Sequence, residues 1–233
     1  MPTRADVLGD VLSASQAILF DFDGPICDVF RGLPAPSIAE ELGTLLSALA
    51  PALEVPARAT DDPMEVHRLS QEGGDTALAA VEAALTAAEI QAVKVAGPPT
   101  EGAVQALHAA RGAGRHVAIV SNNSAECVLE YLTRHGIAEA VDEIVGRPAL
   151  RPDLMKPSAH PLLLAATSLG VVPGRAVLIG DSTTDIEASR AAGMRSIGYA
   201  NKPRKQITLA GADVVVVNMQ EIAAKLAPIS AAD

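Results

Sequence analysis

Three short aliphatic runs in this chain, Ala17–Phe20, His116–Val120 and Ala176–Ile179, each end directly in a polar segment. Continuous aliphatic and β-branched runs of this length are the mark of strands buried on both faces of a parallel sheet. The polar segments are Asp21-Phe22-Asp23-Gly24, Ser121-Asn122-Asn123-Ser124 and Gly180-Asp181-Ser182-Thr183-Thr184-Asp185. A fourth, Lys156-Pro157, lies in a connecting loop. Ligands of open α/β sheets bind outside the carboxyl ends of the strands. The pattern therefore predicts that these carboxylates, hydroxyls and the lysine converge on one edge of one sheet.

Around these segments, helical and strand patterns alternate. A leader helix or arm over 1–13 precedes a first strand near 15–22. Later strands are expected at 116–121, 143–146, 176–180, 195–199 and 213–218. The helices between them run near 101–111, 124–135, 159–169, 184–192 and 219–227. Gly136, Gly170 and Gly193 stand where C-terminal glycines close helices. Strict alternation of this kind indicates a doubly wound, mainly parallel sheet.

Residues 31–97 break the rhythm with no convincing strand and three helical segments. The first is expected to open at Ser37, with Glu40 completing a capping box, and to bury Ile38, Leu42, Leu45 and Leu49. The second opens at Asp62-Pro63, with proline suited to the first helical position, and stops at Gly73-Gly74. The third runs from Asp75 through Ala92. Gly32, Pro34 and Pro36 mark one joint and Gly97-Pro98-Pro99 the other. The division predicted is a core of 1–30 and 98–233 carrying an all-helical insert, 31–97, that reads as a mobile lid, with a rigid helical subdomain as the alternative.

Composition narrows the function. A chain of 233 residues, 49% apolar, can bury a core. Its net charge of −10 speaks against nonspecific binding of nucleic acid or anionic membranes. No apolar stretch is expected to reach the ~20 residues of a membrane span. Two cysteines, Cys27 and Cys127, make no disulfide framework. Both read as small buried hydrophobes, and a reduced, cytoplasmic setting is expected.

The polar segments suit phosphoryl transfer, which is catalysed mainly by positioning and charge stabilisation. Asp21, at a strand mouth, suits a nucleophile that forms an aspartyl-phosphate. Asp23, two residues on, can protonate the leaving oxygen and then deprotonate water. Carboxylates facing a phosphate need a hard cation between them, and Mg²⁺ suits an oxygen-only set. Asp181 supplies a further carboxylate, and Asp185 can hold a metal-bound water. Ser121 and Asn122 can donate into the cleft, and Lys156 offsets the charge of phosphate and Asp21. Singly each has a plainer use: a polar turn, a helix cap, a surface lysine. Their order, strand-end placement and complementary chemistry point together to one site. Lys202-Pro203-Arg204-Lys205 reads as a solvated basic loop. Arg31, Arg58, His67 and Arg68 are insert residues able to meet the non-phosphate part of a substrate.

The set resembles the haloacid dehalogenase-like hydrolase superfamily. Asp21–Asp28 looks like its first motif, Ser121 its second, Lys156-Pro157 its third and Gly180–Asp185 its fourth. The resemblance implies a Rossmann-like core, a helical cap at 31–97, and Mg²⁺ held by Asp21, the Asp23 main-chain carbonyl and Asp181. It also implies Asp21 as nucleophile and Asp23 as acid/base, as in the phosphatase branch. Pro25 stands where the family usually has Thr or Val, and His160 where an acidic residue usually follows the lysine. The expected activity is Mg²⁺-dependent hydrolysis of a small phosphorylated metabolite. The alternatives are a phosphomutase using the same aspartates and a non-catalytic binding protein on the same fold.

Overall fold

The computed structural model describes residues 3–227, so Met1 and Pro2 of the expected leader lie outside the described residues. The chain runs α1 (Arg4–Ala14), β1 (Ala17–Phe20), α2 (Ala35–Leu49), α3 (Glu54–Arg58), α4 (Pro63–Ser70), α5 (Asp75–Val95), α6 (Ala103–Gly112) and β2 (His116–Val120). It continues through α7 (Ala125–Arg134), β3 (Glu143–Val145), α8 (His160–Ser168), β4 (Ala176–Gly180), α9 (Thr183–Ala192), β5 (Arg195–Tyr199), α10 (Lys205–Thr208), β6 (Val214–Val216) and α11 (Gln220–Leu226).

The six strands form one parallel sheet ordered β3-β2-β1-β4-β5-β6. Strand residues alternate between two buried faces. Ile18, Phe20, Val117, Ile119, Val177 and Ile179 face one core with α1, α6, α7 and α11. Ala17, Leu19, Ala118, Val120 and Leu178 face the other with α8 and α9. Burial on both sides is why these strands are continuously aliphatic. After β1 the chain winds outward through β2 and β3, then returns to β4 on the other side. The strand order reverses between β1 and β4, where α/β sheets open a crevice.

The insert between β1 and α6 is helical. Its own core gathers Ile38, Leu42, Leu46, Val66, Val81 and Leu85. Three details differ from expectation. Helix α2 starts at Ala35, with Pro36 inside the first turn and no side-chain cap, so the Ser37–Glu40 capping box does not form. Proline lacks only an N–H that the first turn leaves unpaired, which lets the helix begin earlier. Its buried stripe runs through Ile38, Ala39, Leu42 and Leu46, which leaves Leu49 exposed. The short helix α3 falls in a stretch too brief and too proline-interrupted to show periodicity.

Helix α5 corrects a further expectation. At 21 residues it is long and apolar enough to cross a membrane by length and composition. Here it is a packed core helix. Val81 and Leu85 belong to the insert core, while Ala92 and Val93 belong to the core under the sheet. Glu82 and Glu89 meet the fully buried guanidinium of Arg147. The change from one core to the other thus occurs within α5.

Candidate active site

The loop after β1 is built to bring carboxylates together. Asp21 N–H donates to Ile179 O at 2.8 Å, which ties the end of β1 to β4. Gly24 N–H then donates to Cys27 O, and the Ile26 and Cys27 amides to Phe22 O. This turn closes around Pro25 with its neighbouring donors paired, so the missing proline N–H leaves no gap. Thr100 braces it, its hydroxyl donating to Gly24 O at 2.8 Å. Gly24 has φ +99°, and a Cβ there would overlap the Asp181 carboxylate. Glycine is what lets the two strand ends approach.

Asp21, Asp23, Ser121, Asn122, Lys156 and Asp181 line one cavity of about 350 Å³. Asp61, Asp62 and Met64 form its insert side, beside Phe30. Asp185 lies behind the lysine. Lys156 Nζ reaches Asp21 Oδ1 at 2.8 Å, Asp185 Oδ1 at 2.6 Å and Val120 O at 3.0 Å. The Phe22 amide also donates to Asp21 Oδ1, at 2.7 Å. Both donors fall on one oxygen, which leaves Asp21 Oδ2 without a protein donor among the described residues. Asp23 Oδ1 accepts from Val29 N–H at 3.0 Å.

Asp185 has a duty beyond the expected water support. Its Oδ2 accepts from Ser182 N–H and Oγ–H in the capping box of α9. Both its oxygens are thereby committed, and it anchors Lys156. Asn122 was expected to aim its amide into the cleft. It instead clasps the lysine backbone, Nδ2 donating to Lys156 O at 3.1 Å and Oδ1 accepting from Lys156 N–H at 2.9 Å. Ser121 Oγ–H donates to Asn123 Oδ1 at 3.2 Å and Oγ accepts from Asn123 N–H at 3.1 Å. The N-cap of α7 is Ser124, not Ser121.

Electrostatics at the site follow from burial. Burial is the largest influence on Asp21. The nearby Asp185 charge adds to it, and the two outweigh Lys156, pushing the Asp21 pKa up to about 8. Burial likewise lifts Asp23 to about 6 and raises Asp181 against the pull of Lys205. Burial works against the charge on Lys156, but Asp185 and Asp21 more than offset it and raise its pKa. Lys156 touches Asp21 and Asp185 and Lys205 touches Asp181, so two ammonium groups face four carboxylates once Asp23 is counted. Oxygens of Asp21, Asp181 and Asp185 lie within 4.8 Å of one another. That oxygen-only set, with glycine clearing its approach, fits a hard divalent cation.

Several residues escaped the sequence reading. Lys205 is not a free solvated lysine: its ammonium contacts Asp181 Oδ2, and Asn201 Nδ2 donates to the same oxygen at 3.3 Å. Their position just past the carboxyl end of β5 was the available signal. Of the insert candidates, Arg68 donates to Lys156 O at 3.2 Å, whereas Arg58 pairs with Glu54. His67 is buried against Glu82. The Arg147–Glu82–Glu89 cluster carried no local signal at all.

Comparison with known proteins places these features in a wider set. A family model described as haloacid dehalogenase-like hydrolase matches residues 52–199, a span that holds Ser121, Lys156 and Asp181 but not Asp21. Phosphoglycolate phosphatase of Thiobacillus denitrificans is 32% identical over 127 residues, 54% of this chain and 55% of that protein. N-acetylmuramic acid 6-phosphate phosphatase of Pseudomonas aeruginosa is 28% identical over 230 residues, 89% of this chain and 92% of that protein. The chain thus spans only about half the length of the first relative. Among solved structures, CbbY from Rhodobacter sphaeroides in complex with phosphate shares the fold. Its TM-score is 0.65 at 23% identity, covering 91% of this chain and 99% of that one.

Proposed function

The chain belongs to the haloacid dehalogenase-like hydrolase family, and from that premise we propose that it is a Mg²⁺-dependent phosphatase acting on a small phosphorylated metabolite. The observation that carries this reading is the meeting of Asp21, Asp23, Asp181, Ser121 and Lys156 at one cavity, at the sheet edge where the strand order reverses. Phosphatase relatives support it. Asp21, through its free Oδ2, attacks phosphorus as the bond to the leaving oxygen breaks. Asp23 gives that oxygen its proton, a role suited to a carboxyl whose pKa lies near 6. Water, losing a proton to Asp23, then attacks the aspartyl-phosphate. Inorganic phosphate leaves and Asp21 is restored.

Ser121 meets a phosphate oxygen, Lys156 offsets the charge of the phosphate and Asp21, and Asn122 keeps Lys156 in place. The side chains of Asp21 and Asp181 and the Asp23 carbonyl would hold Mg²⁺, with Asp185 behind them. The ion supplies charge neutralisation for the carboxylates and the phosphoryl group. Residues 31–97 form the cap, on a core of 1–30 and 98–233, and present Asp61, Asp62 and Met64 to the leaving group, beside Phe30 of the core.

The test is phosphate release from an aryl phosphate and a panel of phosphorylated metabolites, with and without Mg²⁺. Asp181→Asn should keep the fold, weaken the Mg²⁺ requirement curve and reduce turnover severely. Metal-independent release, or an unaltered Mg²⁺ response in that variant, overturns the reading.

A further inference from the structure

Glu89, on a helix of the insert, reaches the loop that carries Ser121. Its side chain is 0% exposed, as is that of Arg147. Glu89 Oε1 accepts from Asn123 Nδ2 at 3.1 Å and from Arg147 Nη1 at 2.8 Å, and Oε2 accepts from Ser124 N–H at 3.0 Å. Arg147 Nη1 also donates to Asn122 O at 3.1 Å, and its own amide donates to Asn123 O at 2.8 Å. The 121–124 turn is therefore gripped at three consecutive residues by one buried ion pair.

We infer that Glu89 is a positioning residue for phosphate binding, acting on Ser121 through Asn123, with Arg147 holding the Glu89 side chain in place. A carboxylate can only accept, so Asn123 must turn its NH₂ to Glu89 and its Oδ1 toward Ser121. The Asn123 backbone N–H then donates to Ser121 Oγ from a fixed place. That contact keeps the serine oxygen in position while its proton turns to an arriving phosphate oxygen. The buried Arg147 supplies the charge without which Glu89 would be costly to hold. The insert thus contributes to the phosphate site itself, beyond contacts with the leaving group.

This inference rests on the phosphate-handling reading above, and the experiment separates the two. The full chain with Mg²⁺ is titrated with inorganic phosphate by calorimetry, and KM and kcat are measured with an aryl phosphate. Asn123→Ala removes the link and leaves the Glu89–Arg147 pair intact. Glu89→Gln keeps the shape but turns an NH₂ toward a donor. Each should weaken phosphate binding about tenfold, the scale of one hydrogen bond to a charged group, and raise KM by a similar factor. The double variant should lose no more than the worse single one, since both act along one path. Unchanged phosphate affinity in Asn123→Ala, or additive losses in the double variant, overturns the inference even if melting temperatures fall. Should Glu89→Gln fail to fold, Asn123→Ala decides alone. Wild-type protein that neither binds phosphate nor hydrolyses the aryl phosphate overturns the functional reading and this inference with it.

Discussion

Asp21 and Asp23 stand two residues apart with different surroundings, and that difference suits the separate roles proposed for them. Asp21 is held on one oxygen by Lys156 and the Phe22 amide, whereas Asp23 is held by the Val29 amide. Asp21→Asn should abolish both phosphoryl-enzyme formation and hydrolysis. Asp23→Asn should lose about 10²–10⁴-fold in rate, the usual worth of positioned proton transfer. With a good leaving group it should accumulate phosphorylated protein, because attack by water still lacks its base. Mass spectrometry after an acid quench checks this: added phosphate is expected in Asp23→Asn and none in Asp21→Asn. A second expectation concerns pH. The folded pKa of Asp21, about 8, lies above its ordinary value of 3.8. The folded state then binds the extra proton, so stability falls as pH rises between those values. Metal-free protein should melt lower at pH 8 than at pH 5, and Asp21→Asn should flatten that slope. Mg²⁺, which needs ionised carboxylates, should raise the melting temperature more at pH 8.

Among the elements, α5 has the most consequential packing. Its first half belongs to the insert core and its last turns to the core beneath the sheet. Between them Glu82 and Glu89 engage Arg147, which also donates to Thr86 Oγ1 at 2.9 Å. Removing one partner of a buried ion pair leaves the other uncompensated, typically at a cost of about 3–5 kcal/mol. Arg147→Met should lose stability on that scale in denaturant unfolding. Burial opposes ionisation of Glu82, but His67, the Leu150 amide and Arg147 outweigh it and hold its pKa at about 2. That depressed value stabilises the fold above the ordinary carboxylate pKa, and the contribution disappears as pH falls toward 2. Arg147→Met should therefore also unfold at a higher pH during acid titration.

Taken whole, the molecule carries its insert on two unequal attachments. Arg68 touches the lysine loop through a single hydrogen bond, while α5 is fixed by a buried ionic network. The weakly attached side of the insert presents Ala35, Asp62 and Met64 to the cavity. The joints at Gly32 and Gly97 are not equivalent probes. A Cβ at Gly32 would lie 2.6 Å from Val95 O, so substitution there disturbs packing as well as hinge freedom. Gly97 has φ +89° and an open approach, with Arg31 Nη1 at 3.9 Å. Gly97→Ala should change kcat and KM together for the metabolite substrate and affect a small aryl phosphate less. Equal effects on both substrates would mean that the insert acts as a rigid body.

The strands, their parallel arrangement and the gathering of Asp21, Ser121, Lys156 and Asp181 were legible in the sequence. Aliphatic run length and the polar residue directly after each run are local properties, and sheet geometry turns them into one site. Helix ends were less legible: at Ala35 two prolines compatible with a first turn outweighed the Ser37–Glu40 pattern. The grip of Glu89 and Arg147 on the 121–124 turn and the contact of Lys205 with Asp181 were decided only by tertiary structure. Glu89 and Arg147 are 58 residues apart in the chain and Lys205 and Asp181 are 24 apart. A lone Glu on an alanine-rich helix and a Lys in a basic loop look like solvated charges in sequence. Burial and an opposite charge brought close by packing give them their work, and neither leaves a local spacing to read.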